Sequence, residues 1–316
     1  MRNYANEMLE RGRVNQEGGL EKADEYEWSD KFGFDRLSIK KDAKQFIEFK
    51  NRAVEALNKN MDSILAVSQR VLDLAVENHI EKEKLILSYI GTRVAEFQIG
   101  HSNCEIGDYF KIGYLGSNLE YEEKGYPFLL DALEEMDSSY AAKIELVLTT
   151  TTRDKDAYIQ KKLKKFHKVK IIHGYSHADL HNILTGVNLG VIPALWEDNL
   201  PQVAIEMVAF GVPILSSSAG GASELTRSDA FRFNVGDTED FLKKIYAIVD
   251  QEVSLDEFWK NHSGLCTNQE HYEQIEKVYA LGKVNNISLS VKEVSEILEE
   301  KDFLYQHFVD DDVDVY

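Results

Sequence analysis

Two acids eight positions apart, Asp198 and Glu206, lie in the most informative stretch of this sequence, Ala194-Leu195-Trp196-Glu197-Asp198-Asn199-Leu200-Pro201-Gln202-Val203-Ala204-Ile205-Glu206-Met207-Val208-Ala209-Phe210-Gly211-Val212-Pro213. Pro201 suits the first position of a helix, where its missing N–H costs nothing. Gly211 suits the C-terminal cap, and Val212-Pro213 starts the next strand. The helix between them is apolar on nearly every side, with Glu206 as the one acid among Val203, Ile205, Met207 and Val208. A carboxylate there is costly to bury unless something hydrogen-bonds it. Sugar hydroxyls are suitable partners, because a carboxylate offers several acceptor lone pairs. Neighbouring backbone or an arginine would serve equally, since structural ion pairs also occupy buried acids. The free amides at the helix start would favour an anionic diphosphate nearby.

A second segment, Gly113-Tyr114-Leu115-Gly116-Ser117-Asn118-Leu119-Glu120-Tyr121-Glu122-Glu123-Lys124-Gly125-Tyr126, reads as a strand, a polar loop and a Lys-Gly pair opening a helix. Lysine at that edge of a sheet can serve as a point charge for phosphate, although a surface lysine needs no such role. A third, Ser216-Ser217-Ser218-Ala219-Gly220-Gly221-Ala222-Ser223-Glu224, is a small-residue turn between strand and helix. Its paired glycines permit close backbone approach to a ligand, and suit an ordinary turn just as well. It is not a P-loop, because the Gly-Lys-Ser/Thr element is missing. The histidines, including His167, His173, His177 and His181, are spread through loops and helix. His177 and His181 stand four apart, a spacing that binds metal on a helix. With no third ligand beside them they read as a solvated helix face, and no metal site is expected.

These segments need elements to hold them. Apolar, β-branched runs at Phe110–Leu115, Ile144–Leu148, Val169–Ile172, Leu189–Ile192, Pro213–Ser216 and Phe231–Phe233 predict strands. Helical patterns follow most of them, at Gly125–Met136, Lys155–Phe166, Ala178–Leu184, Pro201–Phe210 and Thr238–Val249. Strands alternating with helices predict βαβ units, a parallel sheet covered on both faces, and right-handed crossovers that make it doubly wound. Ligands of such sheets bind outside the carboxyl ends of the strands, where all three segments fall. Before them, Lys40–Asn60 predicts a helix with Phe46, Phe49, Ala53, Val54 and Leu57 on one face. Ser63–Ser68 predicts a short strand, Ser68 an N-cap, and Lys84–Tyr89 another strand. Gly91–Asp108 reads as a linker. The expected divisions are 1–107, 108–284 and an acidic tail at 285–316.

Composition narrows the function. Of 316 residues 43% are hydrophobic and 29% charged, as in a soluble globular protein. A formal charge of −19 argues against nonspecific nucleic-acid binding, which needs a basic face. The acids gather in Lys292–Tyr316, as in a solvated tail. No run of apolar residues is long enough for a transmembrane segment, and the N-terminus lacks the apolar core of a secretory signal. Two distant cysteines, Cys104 and Cys266, make no disulfide framework and suit a cytoplasmic location.

The order of these segments resembles the C-terminal, donor-binding half of the retaining GT-B glycosyltransferases of family 4, the glycosyl transferases group 1. The matching residues are Gly113 to Gly116, Lys124-Gly125, Asp198 with Glu206, Ala209 to Pro213 and Gly220-Gly221, and the likeness extends from about Asp62 to Tyr279. The resemblance implies a Rossmann-like domain that binds a nucleotide diphosphate sugar and transfers a hexosyl unit with retention, without a metal cofactor. By position, Glu206 would hold the donor ribose, Asp198 would stand beside the donor sugar, and Lys124 would meet the diphosphate. Gly116, Ser117, Asn118 and the amides of Asn199 and Leu200 would complete the donor site. Two features depart from the family pattern. The first acid is Asp198, one methylene short of the usual glutamate and adjacent to Glu197. Ser117 and Asn118 stand where the family tends to carry a second cation for the diphosphate. The residues before 108 are too few for an acceptor-side Rossmann domain, so a short, mostly helical remnant is expected there. Acceptor binding would then fall to a separate domain of a longer polypeptide, to a complementary chain or to a second copy. A catalytically inactive nucleotide-sugar-binding or scaffolding subunit is the alternative.

Overall fold

A computed structural model describes residues 43–97, 106–116, 122–151 and 153–286. Ser117, Asn118, Cys104 and the acidic stretch Lys292–Tyr316 lie outside the described residues, as do the side chains of Phe46 and Phe49. The chain divides into two compact units, Met1–His271 and Tyr272–Tyr316. In the second, the described residues belong to the helix Asn268–Asn286.

In the first unit, α1 (Ala43–Asn60) is followed by β1 (Ile64–Ala66), α2 (Gln69–Glu77) and β2 (Leu85–Leu87). The two strands pair in parallel, Ile64 opposite Leu85. Ser68 caps α2 as the sequence predicts, its Oγ accepting the Val71 N–H at 3.2 Å. The stretch read as a linker is partly structural: Arg93–Phe97 forms a 3-10 turn whose Val94 and Ala95 are buried in the core. A turn this short carries too few residues for its apolar positions to show a period.

The rest of the unit is built on six parallel strands: β3 (Phe110–Tyr114), β4 (Ile144–Thr150), β5 (Lys168–His173), β6 (Leu189–Ile192), β7 (Ile214–Ser217) and β8 (Arg232–Phe233). Their spatial order is β5-β4-β3-β6-β7-β8. The chain steps outward from β3 to β5, crosses back to pair β6 with β3, then steps outward the other way to β8. Helices α3 (Tyr126–Glu135), α4 (Ser138–Ala141), α5 (Asp156–Lys162), α6 (Leu180–Leu184), α7 (Gln202–Ala209) and α8 (Thr238–Val249) flank it, and α9 (Leu255–Lys260) follows. Cover on both faces explains why β6 is buried along its whole length and reads as an unbroken apolar run. The α3 helix packs against α5 and α8, while α7 packs against the Arg93–Phe97 turn. Among the described residues, no helix is long and apolar enough to cross a membrane.

The reversal of strand order falls between β3 and β6. That is where a crevice opens outside the carboxyl ends of a doubly wound sheet. The loops leaving these two strands carry Gly116 and Lys124 on one side and Asp198, Asn199 and Leu200 on the other.

Candidate functional site

A cleft of 610 Å³ opens at that reversal. Gly116, Lys124, Asp198, Asn199 and Leu200 line it, with Thr150 and Thr151 after β4 and Gly174 and Tyr175 after β5. Val67 and Ile90 reach it from the segment preceding the six-stranded sheet.

The β3 side is fixed by backbone geometry. Gly116 donates its N–H to Thr149 Oγ1 at 2.8 Å, and the same hydroxyl donates back to the Gly116 carbonyl at 2.8 Å. Gly125 adopts φ +76°, and a Cβ there would stand 1.8 Å from the Pro193 carbonyl oxygen. Glycine after Lys124 is therefore needed so that the start of α3 can lie against the end of β6. A backbone bond from Leu195 N–H to the Glu123 carbonyl, 2.9 Å, ties the two loops together. With its backbone held this way, Lys124 reaches across the cleft. Its Nζ is 2.8 Å from Asp198 Oδ2 and 5.0 Å from the centroid of the half-exposed Trp196 ring.

On the β6 side, the amides of Asn199 and Leu200 donate to no protein group among the described residues. Helix α7 begins at Gln202 with Pro201 as its cap residue (φ −60°, ψ 129°), one position later than predicted. Pro201 offers no side-chain cap, and Gln202 and Val203 line the cleft, so the helix start stays open toward it. Uncapped amides and the helix dipole favour an anion at that end.

Glu206 sits one turn further along α7, beside the cleft rather than on its lining. It is 6% exposed in a run of buried residues from Ala204 to Ala209. Burial pushes its carboxyl above the usual carboxylate range, while the His177 imidazole and the Tyr175 hydroxyl pull the other way. His177 Nε2 is 3.2 Å from Oε1. Oε2 is buried with no hydrogen-bond partner among the described residues. Among the described residues, neither of the partners the sequence left open, backbone or arginine, holds this acid. A histidine from the loop after β5 does. His181, the other member of the four-apart pair, instead has its ring 6.4 Å from that of Phe210. Among the described residues, no group of three His, Cys, Asp or Glu side chains is placed to hold a metal ion.

Glu197 and Asp198, adjacent in sequence, have different partners. Arg70, at the start of α2, binds Glu197 through two nitrogens and holds its carboxyl below the usual range. Asp198 faces the cleft. The Gly220-Gly221 turn packs on this loop: Gly221 N–H donates to the Asp198 carbonyl at 2.9 Å, and a Cβ on Gly220 would meet that oxygen at 2.1 Å. The close approach these glycines permit is to the chain's own backbone. Arg70, Trp196, Tyr175 and Glu224 were not singled out by sequence reasoning, because their partners lie far away in the chain.

Residues 109–251 match the family described as Glycosyl transferases group 1. No curated protein matches the sequence. Among solved structures, the chain is similar to HepE of Anabaena in complex with UDP and glucose, with TM-score 0.54 and 17% identity over 73% of this chain and 66% of that one. Sucrose-phosphate synthase of Thermosynechococcus elongatus gives TM-score 0.59 and 15% identity over 80% of this chain and 65% of that one. A glycosyltransferase of Rickettsia africae gives 0.56 and 17%, over 76% and 68%. The chain thus spans a little under two thirds of the first two. At these identities the likeness is one of fold: six parallel strands flanked by helices, as in the C-terminal half of a GT-B glycosyltransferase.

Proposed function

We propose, from the premise that residues 109–251 form a glycosyl transferases group 1 domain, that the cleft binds a nucleotide diphosphate sugar as donor for hexosyl transfer with retention, in the cytoplasm. In this reading Glu206 accepts hydrogen bonds from the ribose hydroxyls. Lys124 and the amides of Asn199 and Leu200 meet the diphosphate, and Asp198 stands beside the sugar. The observation that carries it is the buried Glu206 carboxylate with its unpartnered Oε2, next to an uncapped helix start and across from a lysine. A buried acceptor without a donor is costly, and a ribose hydroxyl would satisfy it. Lys124 and the backbone amides supply the countercharge to the diphosphate, without a metal cofactor. The solved complexes of HepE with UDP and with UDP-glucose are the fold neighbours that suggest this ligand class.

Titration calorimetry with UDP, GDP and their glucose conjugates tests the reading. Glu206→Gln should weaken nucleotide binding by about 1.5–3 kcal/mol, the range for hydrogen bonds to a charged group. Unchanged affinity in a folded variant, or binding abolished by a metal chelator, would count against it. Acceptor binding is assigned to a separate domain, a complementary chain or a second copy, because reacting atoms in such enzymes meet between two walls that exclude water. Transfer that appears only when such a partner is added, with the anomeric configuration of the product kept, is the expected result.

A second reading, a catalytically inactive nucleotide-sugar-binding subunit, is favoured by one observation. The lysine assigned to the diphosphate is already neutralised by Asp198. Donor binding at full strength with no turnover in the presence of any partner would select it.

A further inference from the structure

We propose that Arg70, which lies outside the glycosyl transferases group 1 domain, is a positioning residue for the loop Trp196–Leu200. The proposal rests on the donor-site reading above for what the loop binds. Its own basis is geometric. The guanidinium meets Glu197 side-on, with Nε 2.9 Å from Oε2 and Nη2 2.8 Å from Oε1. Two parallel bonds of this kind fix direction as well as distance. Glu197 Oε2 also accepts the Gly220 N–H at 3.0 Å. The turn that begins there carries the Gly221 N–H that holds the Asp198 carbonyl at 2.9 Å. Arg70 thus constrains the loop twice, through the Glu197 side chain and through the turn lying against Asp198.

The arginine is itself anchored from the same side. Glu224, just past the glycine turn, accepts the backbone N–H of Gln69 at 2.8 Å and of Arg70 at 2.7 Å. These are first-turn amides of α2 that no helical carbonyl can reach. Glu224 Oε2 also accepts the Tyr89 hydroxyl at 2.8 Å. A third acid, Glu77, takes the remaining guanidinium nitrogen Nη1 at 3.0 Å. Two carboxylates, one on each side of a glycine turn, therefore grip the start of one helix, and the turn supports the loop that lines the cleft. A lysine at position 70 could carry the charge but not the paired geometry.

The test uses the full chain, with Arg70→Ala, Arg70→Lys and Glu197→Gln. Hydrogen exchange is read without ligand, and calorimetry is read with UDP and with UDP-glucose. The Asp198, Gly220 and Gly221 amides should exchange about tenfold faster in Arg70→Ala, while those of Ile144–Thr150 in the central sheet stay as they were. UDP-glucose affinity should fall about tenfold and UDP affinity less than about threefold, because loop placement matters most to the sugar. Arg70→Lys should recover only a small part, and Glu197→Gln, which keeps the side chain's shape, should behave like Arg70→Ala. Unchanged exchange at Asp198 and Gly221 would overturn the proposal. So would equal losses for both ligands accompanied by faster exchange throughout the sheet, the mark of general destabilisation. Faster loop exchange in a protein whose parent binds neither ligand would uphold the brace and remove the donor-site reading instead.

Discussion

Lys124 and Asp198 neutralise each other at the mouth of the cleft, ammonium to carboxylate at 2.8 Å. Both are assigned to the donor in the proposed function, so a bound diphosphate must first take the lysine from the aspartate. The lysine is 47% exposed, so the pair is worth no more than about 1 kcal/mol. A charge-assisted bond to phosphate can exceed that. Once the lysine turns to phosphate, Asp198 is left free to accept from a sugar hydroxyl.

This handover predicts opposite effects for two ligands. Asp198→Asn should raise UDP affinity by up to about fivefold, by removing the lysine's competitor. It should lower UDP-glucose affinity, by removing a charged acceptor. Calorimetry on one preparation reads both. If Asp198→Asn leaves UDP-glucose affinity unchanged, the wrong acid has been assigned to the sugar.

Glu206 predicts a pH dependence of stability. Burial raises its folded-state pKa above the unfolded value, so its contribution is fully present in acid and is lost as pH rises through the folded pKa. Glu206→Gln keeps the shape without the charge. It should melt above the parent at neutral pH, and the difference should shrink as pH falls toward about 4. A gap that is constant from about pH 4 to about pH 8 in scanning calorimetry would contradict this.

Two glycines separate backbone strain from collision. Gly125 and Gly174 share positive φ, +76° and +66°, but only Gly125 faces a carbonyl where a Cβ would sit. Gly174→Ala should cost about 1–2 kcal/mol for the left-handed conformation alone. Gly125→Ala should cost clearly more, because the start of α3 must also move off Pro193. Urea midpoints measure both, and equal losses would mean that the approach to Pro193 relaxes without penalty.

Tyr126 is fully buried and its hydroxyl has no partner among the described residues. Tyr126→Phe removes an unsatisfied polar atom and keeps the ring, which packs on Tyr114 with centroids 4.5 Å apart. Stability should rise by up to about 1–2 kcal/mol, part of the penalty of a buried unpaired group. A loss of stability in urea would reveal a hidden partner for the hydroxyl.

Much of the fold was legible in the residues themselves. Leu189–Ile192 and Thr238–Val249 have the boundaries their patterns predict. The Lys155–Phe166 pattern overshoots, since the helix ends at Lys162. Leu163 and Phe166 are buried after the helix ends, so the apolar period outlasts the helix that it marks. Glu206 stood out as a charge in an apolar helix and Lys124 as a charge at a helix start, whereas Asp198 was assigned only through the family resemblance.

What the sequence determined by itself is therefore local: strand and helix periods, caps, turns, and the loops that must meet at one edge of a parallel sheet. Those follow from backbone sterics and side-chain alternation over a few residues. Which side chains meet there was decided only by the tertiary structure. His177 rather than an arginine holds Glu206, Arg70 takes Glu197, and Asp198 is left for Lys124. The Gly220-Gly221 turn, open in sequence to a ligand or to no role at all, packs against the Asp198 backbone. Each pairing joins residues from separate elements, helices as well as loops, brought together by the crossover at β3 and β6 and by the return of α2 to the sheet. No short-range pattern carries that information, because the physical contact exists only after the chain has crossed over.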